Sequence, residues 1–119
     1  MPEDSILKTV KIGCNTEDHN HFDQELIMYI NSVIATLTEL GVGPKEGFFV
    51  TNEYDTWSQW LVNDRENILK MVAAYVVMSV KLMWDPPSSS FVLESIKEKT
   101  KEYEWRIQAA VDPGKAVTP

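Results

Sequence analysis

The stretch KLMWDPPSSSFVLESIKEK, residues 81–99, decides the fold. An apolar run stops at Trp84-Asp85-Pro86-Pro87, three serines follow, and a charged amphipathic pattern begins. Neither proline has a backbone N–H, and each drives the residue before it into extended conformations. A helix entering from the N-terminal side must therefore end near Trp84. Asp85 or one of the serines can then cap a second helix by accepting bonds from its free N–H groups. The prolines lack the PxxP spacing of a polyproline ligand. Trp84, Asp85, Pro86 and Pro87 thus read as a structural corner between two helices.

On either side of the corner the pattern is helical. The segment from about Arg65 to Trp84 is apolar on most sides, and at 100° per residue Lys70, Ala74, Val77 and Lys81 share its one outward stripe. Such a helix is central in its domain, with that stripe as the candidate subunit contact. Downstream, a helix over Ser90–Ala109 places Val92, Ile96, Tyr103 and Ile107 on one side, with Glu94/Lys97, Glu98/Lys101 and Glu102/Arg106 as helical charge pairs. Val111–Pro119, with two prolines and one glycine, reads as a flexible tail.

Toward the N-terminus, a short helix is expected from a cap at Asp4 or Ser5 to about Ile12, followed by a polar loop. In FDQELIMYINSVIATLTEL, Leu26, Ile30, Val33, Leu37 and Leu40 recur at helical spacing, and Gly41 is a suitable stop. Residues 41–56 are the least helical; Phe48, Phe49 and Val50 leave room for a small hairpin or one edge strand. Thr56 with Gln59 fits a capping box for a short helix bearing Trp57 and Trp60, and Asn63 with Glu66 marks the next helix start. The expectation is an all-α bundle of about four to five helices with one irregular loop at 41–56. Residues 1–110 form a single domain, and 111–119 the tail.

The 119 residues, 44% hydrophobic, suffice for one core. One cysteine excludes an intrachain disulfide. No basic and apolar leader pattern opens the sequence, and the most apolar run, 68–84, carries Lys70, Ser79 and Lys81, so neither a signal peptide nor a membrane span is expected. The net charge of −7 is lopsided, −8 over residues 1–64 and +1 over 65–119. It argues against a free-standing nucleic-acid binder, and no basic recognition helix is visible.

Catalytic chemistry is poorly supported. Asp18, His19, His21 and Asp23 offer metal-ligand atoms, but His-x-His on a helix points the rings about 200° apart, and no third-ligand cluster follows. Cys14 has no base within view of the sequence. GVGPKEG follows a helix and lacks the Gly-Lys-Ser/Thr ending of a phosphate loop. No catalytic residue, cofactor or metal is expected, which leaves a structural or interaction protein.

Three segments together, FDQELIMYINSVIATLTELGVGP, TWSQWLVN and YVVMSVKLMWDPPSSSFVLESIKEKTKEYEWRI, resemble the head–tail connector (adaptor, head-completion) proteins of long-tailed bacteriophages. The DPPSSSFV…EWR portion is the most specific. Trp84 and Ile107 are conservative departures, where the family more often has Phe and Leu. The resemblance covers about residues 5–108. It implies a virion protein of the neck that assembles in the host cytoplasm. There it would form a ring of about twelve copies under the capsid portal, extending the DNA channel without sequence-specific binding and docking further neck or tail-completion proteins. It also implies a portal contact at the C-terminal part, with Ile107, Val111, Asp112, Pro113 and Lys115 as candidates. The irregular loop, through Glu46, Phe48, Phe49, Asn52 and Glu53, would meet the channel or the next ring. An acidic net charge suits a conduit through which DNA slides. The alternative is a small helical protein-binding regulator, antitoxin-like or repressor-like, acting as a dimer.

Overall fold

The computed structural model describes residues 4–64 and 67–112. It contains five helices: α1 (Ile6–Gly13), α2 (Asp23–Glu39), α3 (Trp57–Trp60), α4 (Leu69–Trp84) and α5 (Ser90–Val111). The architecture is all-α, as the sequence predicts.

Each boundary has a local cause. Ser5 caps α1, its hydroxyl accepting from the Lys8 N–H at 3.2 Å. α2 closes with a Schellman turn: Val42 N–H donates to Leu37 O (2.9 Å) and Gly41 N–H to Thr38 O (3.0 Å). Gly41 sits at φ +96°, which a side chain would resist. The capping box of Thr56 and Gln59 forms at α3 as expected. At the corner, Asp85 leaves the helical conformation (φ −149°, ψ 73°) ahead of Pro86, and the Ser89 hydroxyl caps α5 by accepting from Val92 N–H. α5 runs two residues beyond the expected Ala109, through Val111.

Two expectations are corrected. α4 starts at Leu69, several residues after the expected Arg65. Asn67 holds a left-handed backbone (φ 53°), which interrupts a helix, and the Asp64 carboxylate accepts from the N–H groups of Ile68 (2.9 Å) and Leu69 (3.2 Å). Glu66, the expected partner of Asn63, lies outside the described residues. The hairpin at 41–56 does not form; the described residues contain no strand, only an isolated bridge between Ser5 and Thr56. Val50 bonds a side chain instead. The Asn31 amide donates to its carbonyl (2.9 Å) and accepts from its N–H (2.8 Å), using the groups a partner strand would need.

α4 is the centre of the bundle and packs on α1, α2 and α5, while α1 also packs on α2. The core joins Ile6 and Val10, Leu26, Ile30, Ile34 and Leu37, Trp57 and Trp60, Val72, Val76 and Val80, and Ile107. The short α3 is anchored by its two indoles, which stack at 6.0 Å, and Trp57 Nε1 donates to Thr9 Oγ1 (3.1 Å). α1 and α2 are also tied by charge. The buried Lys11 ammonium lies 3.0 Å from the Asp23 carboxylate and donates to Asn20 Oδ1 at 2.9 Å. α5 is amphipathic in a graded way: Thr100 and Ile107 are buried, whereas Val92 and Phe91 near the corner stand exposed. Its first turns therefore project beyond the core.

Candidate functional site

The surfaces singled out in the sequence fall in four places. On α4, Lys70 and Lys81 are exposed, while Ala74 and Val77 are half-buried. Val77 is not a free surface group. Its side chain presses on Gly13 so closely that a Cβ added there would lie 2.5 Å from Val77 Cγ1. The outward stripe of α4 is thus edged by the end of α1. At the corner, Asp85 and Pro86 are exposed, whereas Trp84 is half-buried with its ring edge-on to Phe22 at 4.7 Å. That contact holds the end of α4 to the start of α2.

In the loop, Glu46, Phe49, Asn52 and Glu53 are exposed, and Phe49 is 71% accessible. Phe48 turns the other way and stacks on Trp60 at 6.1 Å. The loop has fixed geometry. Burial pushes the Asp55 carboxyl up. The amides of Thr51 and Asn52 and the Thr51 hydroxyl all donate to it, and together they hold it below its ordinary value. Lys8 pairs with Glu53 at 3.6 Å across to α1.

At the C-terminal end, Val111 and Asp112 are half-buried. Ile107 is corrected: it is fully buried (0% accessible) in the core, so a partner cannot reach it without opening the bundle. The helical spacing gave its face but not what covers that face. Pro113 and Lys115 lie outside the described residues.

A cleft of about 520 Å³ escaped the sequence reading. It opens between the turn after α2, the segment from Trp60 to Asp64, Ile68 and Val111. Trp60 forms its floor, with Nε1 buried and without an acceptor among the described residues. The lining comes from four separate stretches of chain, and only the glycines of 41–43 and the tryptophan pair hinted at it.

The metal-ligand candidates do not converge. His19 and His21 are exposed, with rings 6.0 Å apart, and Asp23 is engaged by Lys11. Among the described residues no group of three potential ligands gathers. Burial raises the Cys14 thiol; Lys81 pulls it down and Asp85 pushes it up again, but burial is the largest influence. Tyr75, buried between α4 and α5, is pushed up to about 12 by burial first, then by the neighbouring Glu104, to which its hydroxyl donates. Both groups are built for packing.

The geometry therefore offers surfaces, a cleft and a fixed corner. The family that fits such an object is the phage connector protein family, whose model matches residues 6–114. The chain belongs to the phage connector protein family. It matches no curated protein and no solved structure. Connector proteins are structural components of the phage neck that work through contacts with other head and tail proteins. The matched span runs from the first residue of α1 past the end of α5, so all five helices and the corner belong to the connector unit. No helix among the described residues is long and apolar enough to cross a membrane.

Proposed function

We propose that this connector protein assembles as a ring beneath the capsid portal, extends the DNA channel, and presents the docking surface for the next neck or tail-completion protein. The observation that carries the reading is the family match over nearly the whole helical unit. The structure supports it in two ways. Large apolar groups stand outside the core at both the loop and the corner, with Phe49 71%, Tyr54 75% and Phe91 81% accessible, as contact residues of an assembling subunit would be. The net charge of −7 suits a channel wall from which DNA must release.

The portal contact is assigned to Val111, Asp112 and the residues that follow, including Pro113 and Lys115. The exposed loop residues Glu46, Phe49, Asn52 and Glu53 are assigned to the channel or the next ring. A chain cut after Asp112 tests the first assignment. It leaves α5 complete, so helicity and melting temperature should hold, while capture by the purified portal should be lost and particles should leak DNA or lack tails. Unchanged portal capture and normal particles would rule out the residues after Asp112 as the portal contact.

A further inference from the structure

The helices of this protein are segregated by charge. α2 carries Asp23, Glu25 and Glu39 and no Lys or Arg; α4 carries Lys70 and Lys81 and no Asp or Glu. Asp23 is spent on Lys11, but Glu25 and Glu39 lie on the solvent face of α2, together with Met28, Ser32 and Ala35. At 100° per residue these five positions fall within an arc of about 80°, opposite the buried Leu26, Ile30 and Leu37. Met28 is 68% accessible, a large apolar side chain in the middle of the face. On α4, Lys70, Ala74 and Lys81 fall within about 40° of one another. Neither lysine enters an ion pair among the described residues.

The two faces cannot meet within one chain. α2 and α4 already pack on each other through their buried sides, so their outer faces point apart. They do match between chains. Glu25 and Glu39 are separated by about 21 Å along the helix and Lys70 and Lys81 by about 16 Å, a difference that flexible lysine stems can span. Between the charges, Ser32 and Ala35 on one side and Ala74 on the other are small enough to let two helices approach to about 8–10 Å.

We propose that α2 of one copy lies along α4 of the next, with Glu25 and Glu39 against Lys70 and Lys81 and Met28 seated beside Ala74. The contact joins two different surfaces, so each copy offers one of each and the arrangement propagates head to tail until it closes. This rests on the ring reading above and supplies its lateral contact.

Charge reversal tests it. Val77→Asp would not, because Val77 also packs on Gly13 and the change would damage the subunit itself. The pairs Glu25→Lys with Glu39→Lys, and Lys70→Glu with Lys81→Glu, alter exposed side chains and should keep wild-type helicity and melting temperature. In sedimentation velocity over a concentration series, each reversed protein alone should need roughly tenfold or more protein to assemble, since like charges then face each other. An equimolar mixture of the two should assemble as wild type does, because every α2–α4 contact is again between opposite charges. In particles carrying Ser32→Cys with Ala74→Cys, a short bis-maleimide should give a ladder of linked copies, whereas either single variant should not.

Reversed proteins that assemble like wild type, a mixture that fails to recover, or particles without the ladder would overturn this contact. If those particles still show a ring of this chain in the neck, the ring reading survives and a different face is the lateral one. If the neck contains no ring of this chain, the ring reading fails as well.

Discussion

Gly13, the last residue of α1, sits against α4, and Val77 leaves no room for even a methyl group. Alanine is a better helix former than glycine, yet Gly13→Ala should lower stability, by about 1 kcal/mol or more, because it overfills a packed contact. Adding Val77→Ala should return part of that loss, and a chemical-denaturation double-mutant cycle would measure the coupling. Additive effects would mean that the two residues do not touch. Tyr75 makes a second prediction at this scale. The fold raises its hydroxyl from 10.0 to about 12, so below pH ~10 both folded and unfolded chains keep the proton and nothing is lost. As pH rises from there toward about 12, the unfolded chain ionises while the fold still holds the proton, and stability falls. Tyr75→Phe should remove this part of the alkaline loss, seen as a shallower decline in melting temperature between pH 10 and 12; an identical decline in both proteins would contradict the assignment.

At the scale of the element, what the sequence revealed depended on how local the cause was. The corner, the capping box at Thr56 and the stripe of α2 follow from neighbours within one or two turns, and all formed where expected. The missing hairpin has a distant cause: Asn31, 19 residues from Val50, occupies its backbone groups, and no local pattern announces that bond. The late start of α4 depends on left-handed residues at Asp64 and Asn67, which sequence tolerates but does not demand. Ile107 shows the same limit, since helical spacing places it on a face and only packing against the core decides that the face is closed. Pro86 and Pro87 belong to the local class. Replacing both with alanine should cost about 1 kcal/mol or more, because the prolines restrict the unfolded chain and stop α4 cleanly. It should also loosen the angle between α4 and α5 and impair assembly into particles. Unchanged melting temperature together with normal particles would count against a structural corner.

For the whole molecule, the cleft and the open helix faces were the least visible in the sequence, because each is lined by residues that are far apart along the chain. Family membership supplies the setting in which such surfaces act, a phage neck where a connector protein contacts other head and tail proteins. Cryo-electron microscopy of the neck in intact particles tests the proposed ring most directly. A ring of helical density that fits this bundle in every subunit should lie directly below the portal. Within it, α2 should lie beside α4 of the adjacent copy and the end of α5 toward the portal. A neck in which the portal meets the tail proteins with no ring of this chain between them would contradict it.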